Sequence, residues 1–400
     1  MKKVGEVWLV QHQIDKNHCT GCTACASICP KGCITMAADE NGFLCPVIDN
    51  SACVECGLCQ KACPIVTPLE KPNNAPKAYA AYSKDEAMRL GSSSGGIFTE
   101  LAKAVLKVGG AVFGAAYNSQ LDVVHICTES EADLARLRGA KYAQSDLRGI
   151  FADVKCRLEQ GQKVLFSGTP CQVGGLKAFL RKDHENLLAV DLVCHSVPSP
   201  MAWREYVKYR SRQDNGGEMP RAIDLRDKKT GWSNYQYSNL FTYADGHTHA
   251  AKSGESLYMK LFVGDYICRE SCANCQFKGY DRVSDLTIGD FWGIWDIAPE
   301  MDDNKGTSVI LVQSERGAEL LRSISDQLIL KQVTLEEASR QNGAMLKTAQ
   351  PHARRTEALT KIRFGEIGEC ESWFLPTKLS ALQQIRGIAG RILHKIRRKP

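Results

Sequence analysis

Two cysteine-rich segments of the chain share one spacing and lie 34 residues apart. Residues 19–30 read CTGCTACASICP, and residues 53–64 read CVECGLCQKACP. Every residue between the cysteines differs from one segment to the other, whereas the positions of the four cysteines and of the closing proline are the same. The chain therefore repeats a geometry of thiol groups, which is typical of a metal-binding unit.

The spacing C-x-x-C-x-x-C-x-x-x-C-P is typical of bacterial domains that hold two [4Fe-4S] clusters. In that arrangement three cysteines of one run bind one cluster, and the fourth cysteine binds the cluster of the other run. Zinc also accepts four thiolates, but this interval followed by Cys-Pro favours iron and sulfur. Two further cysteines, Cys33 and Cys45, lie outside the pattern and are predicted to be ordinary buried thiols. The predicted ligand sets are Cys19, Cys22, Cys25 and Cys63 for the first cluster, and Cys53, Cys56, Cys59 and Cys29 for the second.

Composition and charge narrow the class of protein. The chain has 400 residues and 18 cysteines, and its start, MKKVGEVWLVQHQIDKNHC, lacks a secretory signal. No apolar run is long enough to span a membrane, so we expect a cytoplasmic protein with reduced thiols or metal ligands. Residues 377–400 hold seven Lys or Arg and no acidic residue, which accounts for the net charge of +6. The remaining body has no basic excess for binding nucleic acid.

Changes in composition divide the chain into four parts. Residues 1–70 hold the cysteine repeat, 71–76 are predicted to be a linker, 77–345 alternate apolar strands with amphipathic helices, and 346–400 form a helical, basic C-terminal tail. The predicted fold class is α+β or α/β: a small ferredoxin-like N-terminal domain followed by a larger mixed α/β domain. Because helices separate many of the strands, we expect a largely parallel sheet. The segment SNLFTYADGHTHA predicts one antiparallel hairpin with Asp-Gly at its turn.

A third group of cysteines lies in the segment ICRESCANCQF. It supplies Cys268, Cys272 and Cys275, and a fourth ligand could be Cys194 or Cys171. By spacing alone this set fits either another [4Fe-4S] cluster or a zinc site.

Two segments predict the start of a helix after a strand. In SGTPCQVGGL, Thr169 is a candidate N-cap and Pro170 stands at the first helical position, so Cys171 lies in the first turn. The segment GSSSGGIFTEL places a Ser- and Gly-rich loop before another helix. Free backbone N–H groups at such a loop can bind a phosphate. Taken singly, each segment also fits an ordinary capped helix.

Six motifs occur in one order: SSSGGIFTEL, RGAKYAQSDL, SGTPCQVGGLKAFL, DLVCHSVPSP, CRESCANCQF and DLTIGDFWG. Together they resemble the flavoprotein β-subunit of the coenzyme F420 hydrogenase/dehydrogenase family, over about residues 77–345. The resemblance implies that the larger domain binds FAD, with one [4Fe-4S] cluster near the flavin. Related members act on a deazaflavin, on sulfite or on a hydroxymethyl chlorophyll, so the resemblance implies an electron path and leaves the substrate open.

The resemblance also implies roles for individual residues. Cys194 would complete the third cluster with the three cysteines of CRESCANCQF, and Cys171 would then lie beside the flavin. His195 is a candidate proton donor, and Asp290 and Trp292 are candidates to line the site. The candidate FAD contacts are Ser93, Ser94, Gly95, Gly96, Lys141, Tyr142, Ser145, Gly168 and Thr169.

The function expected from these motifs is electron transfer. We expect an iron–sulfur flavoprotein oxidoreductase that passes electrons between ferredoxin-type clusters and FAD, to or from a small-molecule or deazaflavin acceptor. An alternative is an electron-transfer subunit that serves a partner enzyme, for example in polysaccharide biosynthesis, and has no substrate of its own. A third alternative is a scaffold that binds metal and no flavin. The expected partner is a redox protein or a small-molecule acceptor, and not a nucleic acid.

The C-terminal segment KLSALQQIRGIAGRILHKIRRKP places its apolar residues along one helical stripe, with basic residues elsewhere. Such a helix could lie on the inner face of an anionic membrane as a peripheral contact. It could equally bind a partner protein or remain solvated.

Overall fold

The computed structural model describes residues 2–4, 7–10, 13–72 and 75–375. Within this part of the chain, no helix combines the length and the apolar character that crossing a bilayer requires. The first three strands form a small antiparallel sheet, and the next two form a hairpin. The N-terminal elements are β1 (Lys2–Val4), β2 (Val7–Val10), β3 (Gln13–Ile14), α1 (Ala24–Ile28), β4 (Ile34–Ala38), β5 (Leu44–Ile48) and α2 (Leu58–Lys61).

The two cysteine runs share a backbone conformation as well as a spacing. Gly21 and Thr23 have φ values of +66° and +68°, and the residues 34 positions later, Glu55 and Gly57, have φ values of +52° and +70°. Left-handed φ is unusual for threonine and glutamate, so it is imposed by the loop rather than by residue preference. Each run then enters a short helix. The sequence repeat is therefore a structural repeat.

The larger part of the chain is built on an eight-stranded sheet with the order β16-β6-β15-β14-β10-β9-β7-β8. A separate three-stranded sheet contains β11, β12 and β13. The predicted Asp-Gly hairpin is present, because β12 and β13 pair antiparallel around that turn. The strands are β6 (Lys77–Ser83), β7 (Ala111–Tyr117), β8 (Val123–Thr128), β9 (Val164–Gly168), β10 (Leu187–Leu192), β11 (Ala222–Asp227), β12 (Ser238–Thr242), β13 (Thr248–Lys252), β14 (Leu286–Asp290), β15 (Ser308–Val312) and β16 (Leu328–Val333).

The expectation of a largely parallel sheet is wrong. The central strands β14, β10, β9 and β7 are parallel, but the strands on both flanks pair antiparallel. One reason lies in the connection from β7 to β8, which is only residues 118–122 and is too short for a crossover. The fold class itself is confirmed as mixed α and β.

Helices cover both faces of the large sheet. On one face, α4 and α11 pack against alternate strand residues such as Leu165 and Leu188. On the other face, α6 and α7 pack against Phe166 and Ala189, together with Cys22 and Ala24 of the N-terminal part. The cysteine-repeat domain thus contributes to the same core as the sheet. The remaining helices are α3 (Glu86–Leu90), α4 (Ile97–Leu106), α5 (Leu134–Leu137), α6 (Ile150–Glu159), α7 (Pro170–Leu180), α8 (Pro200–Asn215), α9 (Leu257–Val263), α10 (Ile294–Ile297), α11 (Glu315–Ser323), α12 (Leu335–Ser339) and α13 (Arg355–Arg363).

Residues 346–375, which the sequence assigns to the tail, pack against the body. Leu359 and Ile362 of α13, and Ile367 and Cys370 of the following 3-10 helix, belong to one apolar cluster with residues of α8. The predicted basic amphipathic helix of residues 377–400 lies outside the described residues.

Candidate functional site

A cavity of about 860 Å³ opens where the parallel strands end. The last residues of β9 and β14, and the segment that follows β10, all contribute to its lining. The carboxyl ends of neighbouring parallel strands are where open α/β sheets bind their ligands. The volume lies within the range of small-molecule and cofactor pockets. The position of the cavity therefore follows from the sheet topology.

The structure brings nearly all the predicted flavin and catalytic residues to this cavity. Gly95 does not line it: a Cβ there would lie 2.4 Å from the carbonyl oxygen of Ala81, so this glycine permits a close approach between backbones. The predicted residues that do line the cavity are Ser93, Ser94, Gly96, Lys141, Tyr142, Ser145, Gly168, Thr169, Cys171, Cys194, His195, Asp290 and Trp292.

The Ser-Gly loop leads directly into α4, whose first turn faces the cavity. Gly96 is the N-cap, with a φ of +87°, so a residue with a side chain would be strained there. Thr99 in the first turn also lines the cavity; it is 3% exposed, and its Oγ1 has no hydrogen-bond partner in the described part of the chain. A buried hydroxyl without a partner is costly, and a polar ligand would satisfy it. The donor set at this turn suits an anionic group.

Lys228 is hydrogen-bonded to the backbone of the Ser-Gly loop that precedes α4. Its Nζ donates to the carbonyl oxygens of Arg89 at 2.7 Å, Ser94 at 2.5 Å and Lys305 at 2.7 Å. These three acceptors use all three N–H bonds of an ammonium group. Burial lowers the pKa of Lys228 to about 7. No motif in the sequence marks this lysine, because its partners are backbone atoms from distant segments.

Arg226 forms a buried cationic wall of the cavity. It pairs with Asp290 at 2.6 Å, and its guanidinium lies 3.9 Å from the ring centre of Tyr237 and 5.0 Å from that of Trp292. It also donates to the hydroxyl of Tyr142 at 3.3 Å. Its Nε has no partner among the residues that the structure describes. This end of the cavity combines aromatic faces with a buried arginine–aspartate ion pair.

Lys141 lines the cavity, but its ammonium is turned to its own loop. Nζ donates to the carbonyl oxygens of Arg136 at 3.0 Å, Arg138 at 2.6 Å and Gly139 at 3.2 Å. Burial lowers the pKa of Lys141 to about 7. These hydrogen bonds of Lys141 thus stabilise the conformation of the loop RGAKYAQSDL.

Ser145 belongs to a buried hydrogen-bond network under the cavity. His125 Nε2 donates to the carbonyl oxygen of Ser167 at 3.0 Å, so its Nδ1 accepts from Ser145 Oγ at 2.8 Å. Ser145 Oγ in turn accepts from Gln172 Nε2 at 2.9 Å, and Gln172 Oε1 accepts from the N–H of Thr169 at 2.9 Å. Burial lowers the pKa of His125 to about 4. A neutral histidine therefore orients the start of α7, with Thr169 as the predicted N-cap.

His195 is held by a carboxylate that the sequence does not indicate. Its Nε2 donates to Asp265 Oδ1 at 3.0 Å, which leaves Nδ1 for another proton. Burial disfavours the ionised form of Asp265, but hydrogen bonds from His195 and the N–H of Gln350 outweigh it and lower its pKa. The ring packs edge-on against Phe262. His195 is therefore fixed at the cavity wall in one orientation.

The cysteine repeat forms two groups in space. The four cysteines of the first predicted set, Cys19, Cys22, Cys25 and Cys63, line one small cavity together with Cys59. The four of the second set, Cys29, Cys53, Cys56 and Cys59, line another together with Cys33. Cys25 and Cys59 are close enough for their charges to interact, so the groups adjoin. Among the described residues, no group of three or more His, Cys, Asp or Glu side chains lies close enough together to hold a single metal ion.

Each of the two cysteines outside the repeat lies beside a predicted ligand. Cys33 Sγ is 3.3 Å from Cys29 Sγ, and Cys45 forms a hydrogen bond with Cys19 that lowers the pKa of the Cys19 thiol. Burial raises the pKa of Cys22 to about 11. Buried thiols ionise when a metal centre compensates their charge, so this donor set suits a metal centre.

The third cysteine group adjoins both the cavity and the first group through its candidate fourth ligands, since Cys171 and Cys194 line the cavity and Cys171 interacts with Cys22. Cys194 interacts with Cys272 and Cys275, and Cys171 interacts with Cys194, Cys275 and also with Cys22. Burial raises the pKa of both Cys194 and Cys272 to about 12, and that of Cys268, which interacts with Cys272, to about 11. Both candidate fourth ligands therefore approach the same group.

Helix α7 joins this group to the cysteine repeat. A Cβ on Gly175 would lie 2.8 Å from both Cβ and Sγ of Cys22, so this glycine allows the first group to pack directly on the helix. Thr20, which lies between Cys19 and Cys22 in the chain, reaches the lining of the cavity. The described thiol groups thus form a continuous series from the second group to the cavity.

Several known proteins are similar to the chain. It is 27% identical to one of the subunits of F420H2 dehydrogenase from Methanosarcina mazei over 206 residues, which are 48% of this chain and 56% of that protein. It is 22% identical to an uncharacterized protein of Methanocaldococcus jannaschii over 354 residues, 78% of this chain and 86% of the relative. An uncharacterized ferredoxin of the same organism is 34% identical over 71 residues, 16% of this chain and 91% of the ferredoxin.

Among solved structures, a chain in the F420-reducing [NiFe] hydrogenase complex from Methanosarcina barkeri is 15% identical. The match covers 76% of this chain and 93% of that chain, with a TM-score of 0.44.

Three family models match the sequence. The models described as coenzyme F420 hydrogenase/dehydrogenase, beta subunit, N-terminal and C-terminal parts, match residues 78–151 and 161–338, which together are more than half of the chain. A 4Fe-4S dicluster domain matches residues 18–66, which confirms the iron–sulfur prediction for the cysteine repeat. The chain therefore belongs to the family of coenzyme F420 hydrogenase/dehydrogenase beta subunits, with a 4Fe-4S dicluster domain preceding the two parts that define this family.

Proposed function

We propose that the chain is an iron–sulfur flavoprotein that carries electrons between two [4Fe-4S] clusters of its dicluster domain and FAD in the cavity, through a third cluster. The observation that carries this proposal is the series of thiol groups, which ends at the cavity lined by the predicted flavin residues. FAD, when bound, would exchange single electrons from the clusters for electron pairs. The acceptor would be a deazaflavin or another small molecule.

The residues of the cavity fit an anionic dinucleotide. The unpartnered hydroxyl of Thr99 and the first turn of α4 suit a phosphate group, and the loop of Ser93 and Ser94 is held rigidly by Lys228. Arg226 and the aromatic residues at the other wall suit a planar ring system. His195, oriented by Asp265, is placed to hold or deliver a proton at the same cavity.

The third cluster would be held by Cys194, Cys268, Cys272 and Cys275, with Cys171 in the first turn of α7 beside the flavin. Cys194 follows β10 and interacts with both Cys272 and Cys275. Lys278 Nζ donates to the carbonyl oxygens of Cys194 and His195, so its positive charge lies next to this cysteine and favours the thiolate.

A second candidate function is that of a subunit that serves a partner enzyme and has no substrate of its own. The relative from Methanosarcina mazei is named as a component of a dehydrogenase, and the aligned part of this chain spans 56% of its length. On this view, a partner protein supplies or receives the electrons.

The first experiment is anaerobic purification of the full chain with quantification of iron, sulfide and flavin. We expect three [4Fe-4S] clusters and one FAD per chain, followed by reduction of a deazaflavin in an acceptor screen. Full cofactor content with turnover only after a partner is added would favour the second candidate function. A preparation that holds zinc, or iron without flavin, contradicts the proposal.

The ligand assignment is tested with a matched pair of substitutions, Cys194→Ser and Cys171→Ser. We expect Cys194→Ser to lower the iron content by about one third, since it removes one of three clusters. Cys171→Ser should leave iron unchanged and alter the flavin absorbance. The reverse result assigns Cys171 to the cluster, and unchanged iron in both variants contradicts a third cluster at this group.

The role of α4 is tested with Thr99→Val and Thr99→Ser. Valine has nearly the same shape without the hydroxyl, so we expect flavin content to fall in Thr99→Val and to be retained in Thr99→Ser. Iron content should not change in either variant. Equal flavin content in the two variants would show that this hydroxyl does not bind the cofactor.

A further inference from the structure

We propose that Arg269 is a positioning residue that fixes the first cluster of the dicluster domain against the third cysteine group and raises the reduction potential of that first cluster. The inference rests on the predicted Cys19 ligand set and on neither FAD nor the identity of the acceptor.

Arg269 connects two parts of the molecule that are distant in sequence. Its backbone follows Cys268, its N–H donates to the carbonyl oxygen of Val197 at 2.9 Å, and its own carbonyl accepts from the N–H of Cys272 at 3.1 Å. Its side chain leaves this loop and enters the cysteine-repeat domain. The backbone of Arg269 thus lies in the third cysteine group, whereas its charged guanidinium lies against the first group.

Among the described residues, the guanidinium hydrogen bonds all join the loop of Arg269 to the cysteine-repeat domain or to the cavity lining. Nε donates to the carbonyl oxygen of Cys19 at 2.7 Å, and the two terminal nitrogens donate to Gln144 Oε1 at 3.1 Å and to Cys45 Sγ at 3.2 Å. Gln144 Oε1 also accepts from the N–H of Leu44 at 3.1 Å, and Gln144 itself lines the cavity. The planar guanidinium of Arg269 therefore connects Cys19, the first predicted ligand of the repeat, with Gln144 in the cavity wall.

Arg269 differs from the other buried arginines in its electrostatic surroundings. It is 3% exposed, and within the described residues no carboxylate pairs with it. Each of the other four buried arginines has a carboxylate partner, and these pairs are Arg89 with Asp303, Arg226 with Asp290, Arg282 with Asp191, and Arg355 with Glu270.

A buried charge without a counter-charge is strongly destabilising, because the interior of the protein does not solvate it as water does. The ionisable groups that face the guanidinium are the thiols Cys19, Cys45 and Cys272, and the uncharged ring of Phe43 lies 5.4 Å from it. Four thiolates outweigh the positive charge of the iron–sulfur cube, so a cluster at the Cys19 set is an anion. The missing counter-charge of Arg269 is therefore supplied by the cluster.

This geometry has a redox consequence. When an external reductant such as dithionite gives the cluster one electron, the negative charge of the cluster increases by one and no bond or proton needs to move. A fixed positive charge stabilises this reduced state more than the oxidised one, so it raises the potential. Arg269 contacts Cys19 and faces Cys272, but it faces no cysteine of the second set. The effect should therefore be largest at the first cluster, smaller at the third and smallest at the second.

The test compares Arg269→Gln and Arg269→Lys with Arg355→Gln in the full chain. Arg355 is a matched control: its Nε donates to the carbonyl oxygen of Cys268 at 2.7 Å, and it is buried, but Glu270 neutralises it. Potentials are measured by anaerobic titration with dithionite, followed by electron paramagnetic resonance, and iron and flavin are quantified in each variant.

We expect the first-cluster potential to fall in Arg269→Gln, to fall less in Arg269→Lys, where the shorter side chain keeps the charge farther away, and to stay unchanged in Arg355→Gln. An unchanged potential in Arg269→Gln with full iron content overturns the inference, as does an equal shift in Arg355→Gln. If Arg269→Gln fails to take up iron, Arg269→Lys decides, and a wild-type potential there also overturns it. Absence of iron from the wild-type repeat would instead contradict the proposed function.

Discussion

At the scale of single residues, the candidate site is held by buried polar groups that satisfy backbone atoms. Lys228 and Lys141 each donate to three carbonyl oxygens, and His125 links a strand to Ser145. The sequence indicates Lys141 and Ser145 as candidate flavin contacts, but it indicates neither Lys228 nor His125, because a lysine or histidine on its own carries no sign of its acceptors. Lys228 and His125 were identified only where the fold brings carbonyl groups from distant segments together.

Replacing Lys228 with methionine should destabilise the loop of Ser93 and Ser94. Three buried carbonyl oxygens would lose a donor, of which that of Arg89 keeps the N–H of Ser92. Each of the other two would cost about 1–3 kcal/mol, so we expect the free energy of unfolding to fall by about 2–6 kcal/mol. Flavin content should fall with it. The measurement is urea unfolding under argon. Lys305→Met, which removes an exposed pair with Glu86, should change stability by about 0.5 kcal/mol or less. Equal effects in the two variants would contradict this account.

His125 predicts a pH dependence of stability. Burial lowers its pKa in the folded protein to about 4 from an ordinary value of 6.5, so the unfolded chain binds more protons as the pH falls below 6.5. Stability should therefore be lost between pH 6.5 and 4, by up to about 3 kcal/mol. Wild type should lose about 2 kcal/mol more than His125→Gln between pH 7 and 5, as measured by urea unfolding. Parallel pH profiles would show that His125 does not titrate in this way.

At the scale of elements, α7 connects the cysteine repeat with the cavity. Its N-cap, first turn and preceding strand were predicted from SGTPCQVGGL, since capping residues and Pro170 act locally. What the sequence could not predict is its packing partner. In the sequence, Gly175 is a residue of low helix propensity. In the fold, it is the position at which Cys22 packs directly against α7.

Gly175→Ala should be destabilising although alanine is the better helix former. The gain in helix propensity is about 1 kcal/mol, but the new Cβ would lie 2.8 Å from Cys22, and overpacking costs about 1–3 kcal/mol. We expect a lower thermal midpoint and a change in the signal of the first cluster. Gly254→Ala, where a Cβ meets nothing within 4 Å, is the control. A stabilised Gly175→Ala protein would contradict the close contact.

At the scale of the whole molecule, the thiol groups are ordered from the surface to the interior. Cys56 in the second group is exposed, whereas Cys22 in the first group and Cys268 in the third are buried. Each group adjoins the next. The exposed group is therefore the expected point of exchange with a redox partner.

Cys56→Ser should slow reduction of the flavin by a protein electron donor, because it disrupts the outermost cluster. Flavin content should remain that of the wild type, since Cys56 does not line the cavity. Cys156→Ser changes another exposed cysteine outside the three groups and should have no effect. Stopped-flow absorbance of the flavin under argon measures the rate. Wild-type rates in Cys56→Ser would show that electrons enter elsewhere.

The order and spacing of motifs by themselves determined the two ligand sets as predictions, the mixed α/β class and the family. They also determined the start of one helix at Thr169 and of another after the Ser- and Gly-rich loop. Each of these depends on residues close together in the chain, where local geometry dominates. Tertiary structure alone decided the antiparallel flanks of the sheet, the packing of residues 346–375 on α8, and the contacts of Arg269 and Lys228. The side-chain hydrogen bonds of Arg269 and Lys228 join residues 77 to 250 positions apart. Only burial in a shared core brings those charges and carbonyl groups within hydrogen-bonding distance.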